Sequence, residues 1–458
     1  MNLDEIERCF GGAIPAVLAT ASAEGVPNIT FISRAHKVDS ERVALSNQFM
    51  SKTARNLAEN PRADVLLIDP VSYDEFRLSL VYERTDRRGP VFERLRADVD
   101  ALAALEGMQD VFRLRAADIF RVVDLVEIPG HPSGASPHDV PAPRQVTPDV
   151  AALAELAARI GRSSDLDVLV DTALSGLDQL LGYRHTMLLL LDEHGRKLFT
   201  IASRGFDGEH VGAEVQVGEG QIGIAAERCE PFRVGGLRQV ARYSRSMRVE
   251  FEGRGGVRPG QELQLPGLVD ADSRLVVPVK ALGELVGVLV AESPNPAAFG
   301  TADEHVLAIA GSLLAHAIQH DRAMALDDNP VPAIASAATT VSPPAQPSSD
   351  AVVVRHFGVD ASTFFDGEYV IKGVAGRILW SLLSQYTADG RVEFTNRELR
   401  LDQSLDLPGF KDNLESRLIL LKRRLDERRG PVTIEKTGRG RFRIHVTEPL
   451  HLELSTAG

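Results

Sequence analysis

Hydrophobic positions along this chain change period several times, and each change marks a different kind of element. In the first quarter, AVLATAS, NITFISRAHKV, RVALSN, ADVLLID, FRLSLVYERT and IFRVVDLVEI are apolar or alternating runs bounded by Gly, Pro, Asn and Asp, which predicts six strands. SKTARNLAEN and PVFERLRADVDALAAL have helical spacing instead. So many short strands in so little chain suggest a small barrel. Further on, TPDVAALAELAARIGRSSDLDVLVDTALSGLDQLLG repeats its leucines and alanines at three and four residues and predicts one long helix. The strands TMLLLLDE, KLFTIAS and RLVVPVKALGELVGVLVAES follow, and TADEHVLAIAGSLLAHAIQHDRAM closes the region as a helix, with Thr301 and Glu304 as its capping box. Near the end, Leu414, Leu418, Leu421 and Leu425 form one apolar helical stripe, while Arg417, Lys422, Arg423 and Arg424 carry positive charge on the other faces. Past Gly430 and Pro431, VTIEKTGRGRFRI predicts a two-stranded ribbon that turns at Gly438 and Gly440 and is decorated by Arg439, Arg441 and Arg443.

The pattern lapses twice. Residues 129–149 and 327–350 are rich in Pro, Ala and Ser with little apolar periodicity, so they read as linkers between modules at 1–128, 150–326 and 351–458. A length of 458 residues suits about three domains. No apolar run reaches a membrane span, and the N-terminal MNLDEIERCF is acidic where a signal peptide is basic, so the expectation is a soluble, cytoplasmic protein that does not engage membranes. Cys9 and Cys229 lie in different modules, which excludes a disulfide framework or a cysteine-built metal site. Charge is distributed unevenly. Arg391 to His445 holds 14 Lys and Arg against 9 Asp and Glu, net +5, which leaves −18 for the remainder of a chain whose total is −13. An acidic body with one basic module points to double-stranded DNA as a partner over a limited, salt-sensitive contact.

Three resemblances follow from these phrases. The segment from about Val353 to Ile444 resembles the winged helix-turn-helix output domain of OmpR-type response regulators: GVAGRILWSLLSQY stands at its first helix, FTNRELR at its second, ESRLILLKRRL at its recognition helix and EKTGRGRFRI at its wing. That resemblance implies DNA contacts from Arg417 and Arg423 and from the wing residues Arg439 and Arg441, to which the basic faces of the same helix add Lys422 and Arg424, although Leu420 occupies a position where the family more often has a polar, groove-facing residue. The first module is similar to the pyridoxamine 5'-phosphate oxidase-like split barrel that binds flavin mononucleotide (FMN). ATASAEGVPNITFIS matches its opening hairpin, and SKTARNLAENP matches the segment where Ser51 and Lys52 would meet the flavin phosphate, with Asn47 and Arg77 as further candidates for the pocket. The middle module resembles a GAF domain, an α+β fold, through VGEGQIGIAAERCEPFRV and the stretch from Ser273 to Gln319, with Gly218, Gly220 and Gly223 turning beside the ligand cavity and Pro278 and Gly287 shaping its central strands.

Some residues are read more plainly. His36 is taken as an exposed strand-edge histidine rather than a haem or proton-transfer residue, and Cys229 as a half-buried small residue. The six arginines between Leu237 and Ser273 would lie over the GAF ligand mouth, and that ligand has no identity in the sequence. GxSxG, HExxH and Walker motifs and metal-spaced His or carboxylate clusters are missing, so no catalytic or metal residues are assigned. The expectation is a multidomain one-component transcription regulator, acting as a homodimer, that senses a small ligand or redox state. The alternative is an FMN-dependent oxidoreductase with an accessory docking domain.

Overall fold

The computed structural model describes residues 1–11, 14–48, 51–106, 113–129, 149–163, 165–207, 210–238, 267–327, 351–405, 407, 414–438 and 440–455. In the first module, α1 (Glu7–Gly11) precedes seven strands: β1 (Ala16–Ala21), β2 (Pro27–Ile32), β3 (Ala35–Lys37), β4 (Arg42–Asn47), β5 (Arg62–Ile68), β6 (Glu75–Asp86) and β7 (Ala116–Ile128). NITFISRAHKV thus yields two strands rather than one. They are antiparallel in the order β2-β1-β5-β6-β7-β4-β3. Only Ser33 and Arg34 separate β2 from β3, yet these strands stand at opposite edges of the sheet. The sheet must therefore curl into a half-barrel, and the crossing is fastened where the Arg34 N–H donates to Ser46 Oγ at 3.0 Å and the Ser46 N–H donates to the Arg34 carbonyl at 2.9 Å. Inside the curl lie Leu18, Ile32, Leu45, Val65, Leu78 and Phe120. Helices α2 (Ser51–Glu59) and α3 (Pro90–Glu106) complete the module.

The middle module is a six-stranded sheet of β8 (His185–Leu191), β9 (Lys197–Arg204), β10 (Glu214–Gln216), β11 (Phe232–Gly235), β12 (Ser273–Ala281) and β13 (Glu284–Ser293), ordered β10-β9-β8-β13-β12-β11. The predicted single helix is two, α4 (Val150–Arg162) and α5 (Leu166–Leu181). Local side chains break it: Ser163 caps the first helix, and the Asp165 carboxylate accepts from the Asp167 N–H to start the second. With α7 (Thr301–Asp327), they bury Leu188, Leu190, Leu275 and Val277 on one face of the sheet. The opposite face, with Met187, Leu189, Val276 and Val290, packs on α6 (Gly220–Arg228) and on Ala101 of α3, so the first two modules share a core. At the start of α6 only glycine fits, because a Cβ on Gly223 would lie 2.1 Å from the Gln216 carbonyl oxygen.

The C-terminal module begins with β14 (Val352–Phe357), β15 (Ser362–Phe365) and β16 (Glu368–Ile371) and continues through α8 (Gly373–Asp389), β17 (Glu393–Thr395), α9 (Asn396–Leu401), α10 (Leu414–Arg428), β18 (Val432–Gly438) and β19 (Arg441–Val446). Its last strand, β20 (Leu450–Ser455), returns to pair in parallel with β14 in a sheet ordered β16-β15-β14-β20, while β17, β19 and β18 form a second, three-stranded sheet. Thr395 and Glu398 cap α9 reciprocally. Leu379, Leu382, Leu421, Leu425 and Ile444 fill the space between helices and hairpin. Among the described residues no helix is long and apolar enough to cross a membrane.

Candidate functional site

Helix α10 divides its residues between two neighbours. Leu414, Leu421 and Leu425 point into the C-terminal module, and Arg424 joins them rather than facing outward. Arg424 is 8% exposed, its Nε donates to the Val370 carbonyl at 3.0 Å, and Glu427 lies 3.3 Å from its Nη1. Arg424 is therefore not a surface cation: its long stem packs beside β16 and its head satisfies a strand-end carbonyl. Arg417, Lys422 and Arg423 emerge on another side, where they meet the middle module. Arg417 is 2.7 Å from Glu193 and lies over the Phe199 ring at 4.0 Å. Arg423 reaches Asp167 and Asp171, each at 2.7 Å, and Lys422 reaches Asp167 at 2.9 Å. Burial pushes the Asp167 carboxyl up, but hydrogen bonds and charge from Lys422 and Arg423 hold it below the ordinary carboxylate range. Glu193 is likewise held low against its burial by Arg417.

In the hairpin, Arg441 is exposed opposite Thr395 and Gly438, and Arg443 pairs with Glu393. Arg439 lies outside the described residues, as do most of the six arginines expected over the middle-module ligand mouth. Lys436 pairs with Asp165, and Lys372 lies 3.2 Å from Glu214.

The four flavin candidates separate into two groups. Ser51 and Lys52 begin α2, both exposed, with no acidic residue in the first turn and Lys52 Nζ 3.5 Å from the Pro27 carbonyl. A hydroxyl and an ammonium at a helix start fit a phosphate. Asn47 does not join them. Its Nδ2 donates to Asp118 Oδ2 at 2.8 Å, and Thr85 donates to the other oxygen of the same carboxylate at 2.6 Å. The reason is burial: Asp118 is 3% exposed, which raises its pKa, and it takes the donors that β4 and β6 offer. Arg77 is exposed on β6, three strands from β2 and in register with Leu66, which leads through Val17 to Phe31 rather than to Pro27.

Several charged residues that hold the modules together were not singled out from sequence. Arg34 is 4% exposed and donates to Asp98 at 3.3 Å and to the Arg233 carbonyl at 3.2 Å. Arg94 binds Glu304 through hydrogen bonds of 2.6 and 2.9 Å, and Arg233 donates to Glu7 at 2.9 Å. Glu7 also accepts from the Thr301 N–H and hydroxyl. Thr301 and Glu304 therefore do not cap α7 as a pair; both reach the first module, and the Gly300 N–H is satisfied by Asp303 at 2.8 Å. His36 sits beside this network half-buried rather than exposed, and burial drives its pKa down to about 4, against Asp98 and with Arg94 and Arg34, so it is neutral at pH 7. Cys229 is half-buried as expected, and burial pushes the buried Cys9 thiol up to about 12. No motif flags such a network, since its partners are distant in sequence and each charge looks like ordinary surface charge.

Known families match two of the three modules. Residues 3–122 match the family model described as pyridoxamine 5'-phosphate oxidase, and residues 163–319 match the GAF domain model. Among solved structures, the GAF domain of an Acinetobacter phosphoenolpyruvate-protein phosphotransferase is 22% identical, covering 39% of this chain and 96% of that one with a TM-score of 0.31. An FMN-binding protein from Syntrophomonas wolfei subsp. wolfei is 19% identical over 28% of this chain and 86% of its own, TM-score 0.24. A free methionine-R-sulfoxide reductase from Neisseria meningitidis is 18% identical over 38% and 89%, TM-score 0.28. No curated protein matches the chain.

Proposed function

We propose that this chain, which joins a pyridoxamine 5'-phosphate oxidase-like half-barrel to a GAF domain, is a sensory transcription regulator whose C-terminal module is a winged helix that binds double-stranded DNA. One observation carries the reading: α10 projects Arg417, Lys422 and Arg423 away from its own core and is followed by a hairpin with Arg441 exposed. A cationic helix beside a cationic ribbon is the arrangement that pairs with a phosphate-lined groove. FMN is the proposed ligand of the half-barrel, its phosphate held by Ser51 and Lys52 at the start of α2. When bound, it would supply the redox-sensitive group. The GAF domain is proposed to take a second, small-molecule signal.

The test is binding of residues 351–458, with folding verified by circular dichroism, to duplex DNA across a salt series. Affinity is expected to fall with salt at a log–log slope of roughly −0.9 per phosphate contact, and Arg441→Ala should flatten it by about one unit. A folded module that shifts neither random duplex nor its own promoter fragment at low salt would exclude the reading.

A further inference from the structure

Arg417, Leu420 and Arg423 recur at three-residue steps on α10 and form one stripe. Every member of that stripe is occupied by the GAF domain. Arg417 is on Glu193 and over Phe199; Arg423 is on Asp167 and Asp171 and also donates to the Ile201 carbonyl at 3.3 Å. Leu420 is 4% exposed, and its Cδ1 is 3.7 Å from where a Cβ on Gly212 would stand. The same acidic face extends to the hairpin, through Asp165 on Lys436. Carboxylates at the start of α5 and at Glu193 thus present to α10 what a DNA strand would present: a row of anionic oxygens at hydrogen-bond distance from guanidinium and ammonium groups. Leu420 fits this surface and not a hydrated phosphate groove, which accounts for an apolar residue on the stripe.

We propose that the acidic face of the GAF domain is an intramolecular stand-in for the DNA backbone, so that the chain is closed and self-inhibited until a signal or DNA displaces it. This rests on the DNA-binding reading of α10. The two partners cannot share Arg417 and Arg423, so occupancy by one excludes the other. A protein whose competent form is a minor population binds with its affinity reduced by that fraction.

The experiment compares the full chain with its Asp167→Asn/Asp171→Asn/Glu193→Gln variant, and with Asp171→Asn alone, whose side chain is 66% exposed and whose change leaves folding least at risk. Two quantities are read: affinity for a fluorescent random-sequence duplex at low salt, and amide hydrogen exchange in 414–428. The triple variant should exchange faster in 414–428 and bind DNA roughly ten- to hundred-fold more tightly, as release of a form closed 90–99% of the time requires. Asp171→Asn should move both in the same direction by less. DNA added to the wild type should speed exchange in 165–171. Equal affinity and unchanged exchange in all three proteins, with DNA bound, would overturn the closed state while leaving DNA binding intact. Faster exchange with no DNA bound by any protein would instead overturn the DNA reading, and the proposal with it.

Discussion

In the proposed FMN site, two adjacent side chains, Ser51 and Lys52, are asked to hold the phosphate. A phosphate dianion needs donors at fixed positions, and a hydroxyl, an ammonium and first-turn N–H groups are such donors. Lys52→Ala should weaken FMN binding by about 1.5–3 kcal/mol, roughly ten- to hundred-fold, the ordinary worth of a hydrogen bond to a charged group; flavin fluorescence titration measures it. Asn47→Ala should act otherwise. Asn47 satisfies Asp118, so its removal should lower thermal stability of the half-barrel more than flavin affinity. The resemblance grouped Asn47 with Ser51 and Lys52, and a matching phrase does not report which way a strand residue points. Arg424 was misread for a related reason: a guanidinium at a helical position reads as solvent-facing unless a carbonyl such as that of Val370 is known to await it.

Elements were legible where one pattern decided them and obscure where tertiary contacts did. Helices α3 and α10 stand where periodicity put them, because each buries a face of matching period, whereas the single run NITFISRAHKV holds two strands, β2 and β3. The break between α4 and α5 was hidden, since the leucine spacing continues across it and only the caps mark it, Ser163 ending the first helix and Asp165 starting the second. Helix α3 illustrates the tertiary case. It packs Leu95 on its own sheet and Ala101 on the GAF sheet, with Asp98 between them paired to Arg34. Arg34→Ala leaves that carboxylate buried with reduced compensation, which typically costs about 3–5 kcal/mol, so the unfolding midpoint in urea should fall sharply. Arg42→Ala, which breaks an exposed cluster with Asp39 and Glu83, should leave the midpoint nearly unchanged.

Across the whole molecule, the contact between the C-terminal module and the GAF domain sets a pH dependence. Asp165, Asp167, Asp171, Glu193 and Glu214 face Lys436, Lys422, Arg423, Arg417 and Lys372, with Lys197 also on Glu214 and Asp426 beside Lys422. Asp167, Glu193 and Glu214 are held below their ordinary pKa values while docked, against burial, by those cations. A depressed carboxylate contributes stability that is present above its undocked pKa and lost as pH falls through the docked one. Docking should therefore be intact at pH 7 and weaken below the ordinary carboxylate values of 3.8 and 4.5, seen as a rise in radius of gyration by small-angle scattering. Constant dimensions from pH 7 to pH 3 would contradict it.

One apolar cluster runs without interruption from Leu156 in α4 through Leu420 to Ile444. Heat consequently meets fewer parts than the chain has modules. While docked, the GAF domain and the C-terminal module should melt as a single cooperative unit, and a compound that binds only the GAF domain should raise the melting temperature of a helix it never touches, roughly with the logarithm of its concentration. A compound that favours undocking splits that endotherm into two, so the calorimeter would distinguish ligands that lock the chain from ligands that open it without any DNA in the cell.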